Sequence, residues 1–338
     1  MTGKQRIQCA MDGAWPDRRP IMLHNFQMAA REAGLTMKEY RADPQKAARA
    51  HIQAAEKYDT DGVLIDMDTA TLAGAVGVPV DLPADEPART RGGLLVSLDG
   101  MDRLRSVQVK SDERIHIWLE TCSIVKNYFG DGKCIRGNCD QAPFSLASMI
   151  REPGNWMMDL VTHPEQAHEL LGICTEITSQ FIGLMAETGV DMVSNGDSPA
   201  GPEMISPDQY LEFAWPYEKK VVEFAHALDL PYILHICGNT DLILELMVQT
   251  GADGLELDQK TDIRRIREVL GGRCALFGNI DPVHIIQRGS PEDVEQAVGE
   301  LAQHFREEPR FILNAGCAIP ADAPPENIYA MIKALKND

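Results

Sequence analysis

Residues 232–239 read Tyr-Ile-Leu-His-Ile-Cys-Gly-Asn, and this stretch decides the fold. A short apolar, β-favouring run passes directly into a histidine, a cysteine and turn residues. Such a pattern is a buried strand whose end carries chemistry. Four more runs in the second half do the same. Residues 191–194 (DMVS) lead into Asn195-Gly196-Asp197, and residues 254–257 (GLEL) lead into Asp258. Residues 275–278 (ALFG) lead into Asn279-Ile280-Asp281, and residues 311–314 (FILN) into Ala315-Gly316-Cys317. Helical spacing of apolar residues fills the gaps, at 207–227, 242–250, 263–270 and 291–305. The last of these opens with the start signal Ser290-Pro291-Glu292-Asp293.

Strands alternating with helices imply βαβ units and a parallel sheet. The first half adds three candidate strands, at 20–24 (PIMLH), 62–66 (GVLID) and 133–138 (KCIRGN). The total suits an α/β fold closed into a (β/α)₈ TIM barrel, with residues 1–338 forming one barrel domain. An open doubly wound sheet is the alternative, but no Gly-x-Gly-x-x-Gly follows the first strand. Residues 82–109, rich in Pro, Gly and Asp, break the alternation. They are expected to be an inserted excursion, a hairpin or a lid over one end.

In such a barrel the carboxyl ends of the strands form the active-site face. His24-Asn25, Asp66-Met67-Asp68, Asn195, Asp197, Asn239, Asp258 and Asn279 all fall at strand ends, so they are expected around one mouth. The competing reading makes the Asp and Asn residues turn formers and helix caps.

His235 and Cys237 are two apart at the end of a strand and therefore point to the same side. Cys317 ends the last strand, which opens on the same mouth. One imidazole and two thiolates suit zinc, and a catalytic zinc keeps three protein ligands and one open position. The plain alternative is a buried histidine beside two buried cysteines. The remaining cysteines of the eight, at 9, 122, 134, 139, 174 and 274, read as small buried hydrophobes.

The net charge of −19 repels phosphate backbones and argues against nucleic acid as a partner. No apolar run approaches the ~20 residues that span a bilayer. The polar N-terminus lacks the apolar core of a signal peptide. A cytoplasmic protein is expected, in which thiols stay reduced.

His-Ile-Cys-Gly-Asn at 235–239, Gly-Asn-Ile-Asp-Pro at 278–282 and Asn-Ala-Gly-Cys at 314–317 resemble the uroporphyrinogen decarboxylase superfamily. Trp15-Pro16-Asp17-Arg18-Arg19-Pro20 is similar to the family's approach to its first strand, and the resemblance covers nearly the whole chain. The His-x-Cys…Cys set resembles the zinc-binding, cobalamin-dependent methyltransferase branch, which includes methylcobalamin:coenzyme M methyltransferases. The resemblance implies zinc on His235, Cys237 and Cys317. Cobalamin-independent methionine synthase has a similar metal set with an acidic ligand on the sixth strand, which by position would be Asp258. The arginine-rich segment that follows the first strand in true decarboxylases is replaced here by Met22-Leu23-His24-Asn25-Phe26-Gln27-Met28. An octa-anionic tetrapyrrole would find few partners in it.

The resemblance implies transfer of a methyl group between methylcobalamin and a thiol or other small acceptor. Asp197 and Asp258 would orient or deprotonate the incoming group. Asn25, Asp66, Asn195, Asn239 and Asn279 would bind substrate at the rim. The chain has no Asp-x-His-x-x-Gly, and Asp281-Pro282-Val283-His284 has the wrong spacing, so the corrinoid is expected on a partner protein. The same site could run in the other direction, taking a methyl group from a methoxy, methylamine-type or halomethane substrate. A decarboxylase of another acid and a metal-binding module are the remaining alternatives.

Overall fold

The computed structural model describes residues 1–336, so the last two residues of the expected 1–338 barrel lie outside the described residues. Eight parallel strands follow one another around the sheet in chain order. They are β1 (Met22–Leu23), β2 (Gly62–Ile65), β3 (Cys134–Gln141) and β4 (Met192–Gly196), then β5 (Tyr232–Ile236), β6 (Gly254–Leu257), β7 (Ala275–Ile280) and β8 (Phe311–Ala315). Ile21 bridges to Leu313, and the Leu313 N–H donates to the Pro20 carbonyl at 2.9 Å, which joins the last strand to the first. The (β/α)₈ barrel expected from the sequence is the fold. Each expected apolar run holds its strand, and β3 continues three residues past the expected end at Asn138, through an irregular register between Asn138 and Gln141.

Alternation along the strands sorts side chains into layers across the barrel axis. Met22, Leu64, Cys134, Met192, Ile233, Ala275, Phe277 and Ile312 form an apolar floor. The N-terminal helix Gly3–Met11 caps this floor with Ile7, Ala10 and Met11. One alternation further along lie His24 after Met22, Arg136 after Cys134 and His235 after Ile233. The polar layer therefore rests on an apolar one.

The helix expected over 207–227 is interrupted. The Trp215 N–H donates to the Tyr210 carbonyl, five residues back, before a regular helix runs over Trp215–His226. Pro216 has no N–H to continue the ordinary ladder, so the chain widens by one residue per turn there. The helix Pro291–His304 begins on the expected signal: the Ser290 hydroxyl accepts from Asp293 N–H and the Asp293 carboxylate from Ser290 N–H.

The excursion contains a short antiparallel pair, Val80–Asp81 with Arg89–Thr90, and a 3₁₀ segment over Leu98–Ser106. The Arg41 guanidinium donates to the carbonyls of Pro83 and Glu86 at 2.9 and 2.6 Å and pins the hairpin to the barrel. Among the described residues, no helix is long and apolar enough to cross a membrane.

Two buried carboxyls behind β4 belong to the fold. Asp197 is fully buried, and its Oδ1 accepts from Ser145 N–H at 2.6 Å. Its other oxygen faces Glu218, which also takes a bond from the Tyr210 hydroxyl. With both carboxyls ionised, Asp197 Oδ2 and Glu218 Oε1 would each lack a donor, and a proton on Glu218 satisfies both. Burial pushes Asp197 up to about 6, against its hydrogen bonds, and burial with the Asp197 charge pushes Glu218 higher.

A raised carboxyl favours the protonated folded state. The pair's stabilisation is therefore full below the ordinary range near pH 4 and is lost as pH rises through about 6 and beyond. Glu218→Gln keeps a donor for Asp197 without the titration. Its melting temperature is expected to match wild type at pH 5 and to exceed it increasingly toward pH 9; parallel curves would contradict the shared proton.

Asp61, at the entry to β2, accepts from Arg18 at 2.7 and 3.0 Å, from Arg6 at 3.1 Å and from the Ile21 N–H at 3.0 Å. It thereby ties the barrel seam to the N-terminal segment. Asp61→Ala strips Arg18 of its carboxylate and leaves the Ile21 N–H unpaired, while Arg6 keeps Asp17, and is expected to cost about 3–5 kcal/mol in denaturant unfolding. A loss under about 1 kcal/mol would class the contact with ordinary surface pairs.

Candidate metal centre and barrel mouth

His235 and Cys237 leave β5 on the same side, and Gly238 then turns the chain away with φ +87°, a conformation suited to glycine. Cys317 follows Gly316, whose missing Cβ would sit 2.7 Å from the Gln259 backbone nitrogen. The loop after β8 can therefore press against the loop after β6. These two approaches bring the ligand atoms of His235, Cys237 and Cys317 within 4.8 Å of one another. The two sulfurs are 3.7 Å apart, and His235 Nε2 is 3.1 Å from Cys237 Sγ and 3.8 Å from Cys317 Sγ.

A tetrahedral ion with metal–sulfur bonds of about 2.3 Å and a metal–nitrogen bond of about 2.0 Å requires S···S near 3.8 Å and N···S near 3.5 Å. The S···S distance matches, the two N···S distances bracket theirs, and the sulfurs stand far beyond the ~2.05 Å of a disulfide. The His235 Nδ1–H donates to the Glu256 carbonyl at 2.9 Å, which turns Nε2 toward the sulfurs. The Cys317 thiol hydrogen bond and the His235 charge hold Cys237 far below the usual thiol range despite burial. By contrast, burial pushes Cys122, Cys134, Cys139, Cys174 and Cys274 up, which makes them inert packing groups.

The trio sits in the wall of a cavity of about 240 Å³. Below it lies a charged layer. The Arg136 Nη1 is 2.6 Å from Glu256 Oε2. His24 donates from Nδ1 to Glu256 Oε1 at 2.9 Å and from Nε2 to Asp66 Oδ2 at 2.8 Å. Burial opposes the charge on His24, but Glu256 and Asp66 outweigh it and raise the imidazole to about 9. Burial likewise opposes ionisation of Glu256, and Arg136 and His24 reverse that.

Of the residues expected at the mouth, His24, Asp66, Asp68, Asn195, His235, Cys237 and Cys317 line this cavity. Asn195 donates to the Cys139 carbonyl at 2.6 Å and accepts from the Tyr232 hydroxyl at 3.1 Å. The others lie elsewhere. Asn25 lines a small crevice behind β1 with His51 and Ala54, because it is one residue out of phase with His24. Asp197 is sealed behind β4 in its carboxyl pair. The Asp258 carboxylate accepts the N–H groups of Gly238 and Lys260 at 2.9 and 3.0 Å, which makes it a loop organiser. Asn239 accepts from Asp241 N–H at 2.9 Å as a turn former, and it shares an open groove with Asn279 outside the cavity. His284 bonds Asp281 on an exposed turn, away from the mouth.

From the sequence, His24 is expected at the mouth without a role, and Arg136 and Glu256 are not singled out as site residues. Their signal was present as a strict two-residue phase with Met22, Cys134 and Gly254. The acid on β6 that faces the histidines is Glu256, two residues before Asp258; its Oε1 is 4.0 Å from His235 Nδ1.

The chain is similar to proteins of two named activities. The chain is 28% identical to the methylcobamide:CoM methyltransferase MtbA of Methanosarcina acetivorans, over 99% of this chain and 98% of that one. It is also 28% identical to a uroporphyrinogen decarboxylase of Chloroherpeton thalassium, over 91% of each. The solved structure of a methyltransferase from Methanosarcina mazei superposes with a TM-score of 0.91 at 23% identity, covering 100% of this chain and 99% of that one. The family description "Uroporphyrinogen decarboxylase (URO-D)" matches residues 2–337, and the chain belongs to that family.

Proposed function

We propose that this chain is a zinc-dependent methyltransferase that moves a methyl group between a corrinoid carried by a partner protein and a thiol or other small acceptor. The observation that carries the reading is the tetrahedral spacing of one imidazole and two thiolates in a cavity wall. Percent identity alone does not choose, since both kinds of relative are 28% identical, but the methyltransferase match spans 99% of this chain and the decarboxylase match 91%.

The donor chemistry of the site favours methyl transfer. The donor set fits zinc in its catalytic form, with three protein ligands and one position left for substrate. Bound there, zinc lowers the pKa of a substrate thiol and presents it as the nucleophilic thiolate. The chain's own residues arrange the rest. The Glu256 carbonyl fixes the His235 tautomer. The Arg136–Glu256–His24–Asp66 layer holds the floor rigid. Asp66 and Asn195 are the polar groups from the expected set that can orient the acceptor. Asp197 and Asp258 serve the fold and the loops.

The decarboxylase reading is disfavoured by the same cavity. At about 240 Å³ it is below the roughly 300–1,000 Å³ of sites that take drug-sized ligands, so a small substrate fits it better than a tetrapyrrole. Its cations are already paired with carboxylates. Methyl transfer from a small donor to the corrinoid uses the same groups in reverse. The barrel acts as one unit in the cytoplasm, where thiols stay reduced.

Elemental analysis of the purified enzyme is expected to give about one zinc per chain, held at the three-ligand site. Cys237→Ala and Cys317→Ala should each lose most of it, and with it methylcobalamin demethylation in the presence of thiols. Wild-type protein that cannot be loaded with zinc, or variants that keep it, would overturn the reading.

A further inference from the structure

The cavity is acidic on the side built from β2, β3 and β6. Asp66, Asp68, Asp140 and Glu256 line it, and the cationic side chains beyond His235 are His24 and Arg136. Both are engaged. Arg136 is paired with Glu256 and lies over the Phe277 ring at 5.4 Å. His24 bridges Asp66 and Glu256. Each lining cation thus already faces a carboxylate, which offsets its charge, although Arg136 Nε makes no hydrogen bond. Two thiolates would also cancel the charge of a divalent ion, so the metal centre would add no positive field.

Three of the four carboxyls are occupied. Asp68 accepts from the N–H groups of Ala70 and Thr71 and from the Thr71 hydroxyl. Asp140 accepts from the Leu72 N–H and from Gln141. Glu256 holds Arg136 and His24. Burial and the neighbouring carboxylates push Asp68 and Asp140 up even with Arg41 3.6 Å from Asp68, as expected where negative charge outweighs positive.

Asp66 differs. It is 2% exposed and Oδ2 takes the His24 bond, but Oδ1 has no donor. Leaving a buried carboxylate oxygen unpaired costs about 1–3 kcal/mol or more. A ligand N–H placed in the cavity would satisfy it.

We propose that the substrate of this cavity carries a cationic N–H group, as an aminothiol does, and that Asp66 receives it. The inference rests on the transfer reading above and names its substrate class. Selectivity comes from a charge-assisted hydrogen bond to Oδ1, with the charges of His24 and Arg136 already offset by Asp66 and Glu256.

The test compares three two-carbon thiols that differ only in the head: cysteamine (ammonium), 2-mercaptoethanol (neutral) and 2-mercaptoethanesulfonate (anionic). Calorimetric titration of the zinc-loaded enzyme should show cysteamine binding about tenfold or more tighter than the sulfonate, the worth of one hydrogen bond to a charged group. Asp66→Asn should remove most of that preference while zinc content is kept. If that variant does not fold, the wild-type order alone decides. Sulfonate binding as tight as cysteamine, an unchanged preference in a folded Asp66→Asn protein, or binding of none of the three overturns the proposal. Methylcobalamin demethylation with the same thiols is run alongside. Cysteamine bound preferentially but never methylated overturns the transfer reading and upholds the charge preference.

Discussion

The site depends on one buried carboxylate. Glu256 is fully buried, and taking a charge out of water costs several kcal/mol unless partners repay it. Arg136 and His24 do so from β3 and β1, across the barrel axis. The same residue's carbonyl takes the Nδ1–H of His235, so a single position on β6 both holds the charged layer and aims the imidazole. Closure of the barrel makes this possible. It puts strands distant in sequence around one axis, with side chains of the same phase at the same height.

The fold was legible because two periods alternate along the chain. Apolar runs of four or five residues and helical stripes could be read without any tertiary information, and Ser290-Pro291-Glu292-Asp293 marked a helix start by its own chemistry. The metal trio was legible for a local reason, the two-residue phase of His235 and Cys237, with Cys317 supplied by the barrel's geometry. The rest of the site was less legible because strand-end polar residues have two uses. Asn239 and Asp258 tie loops. Asp197 shares a proton behind β4, which only the position of Glu218 on a later helix reveals. Asn25 fell one residue out of phase, and that single step moved the assignment from His24 in the mouth to the back of the strand. Arg136 was hidden in an apolar run as a charge with no visible partner, since its partner lies 120 residues away.

A shared barrel does not by itself decide chemistry, and this family houses both methyl transfer and decarboxylation. What separates them here is the lining of the mouth. Two sulfurs and an imidazole at tetrahedral spacing invite a soft metal. An acidic wall with its cations already paired repels a polycarboxylate. The trio's histidine is held by a backbone carbonyl, not by a mobile side chain.

The most direct test of this account is zinc K-edge X-ray absorption on the metal-loaded enzyme, before and after addition of a thiol. The account predicts a resting shell with two sulfurs and one imidazole, and a third sulfur at about 2.3 Å once thiol is added. A shell of four protein ligands that thiol does not alter would make the centre structural and contradict it.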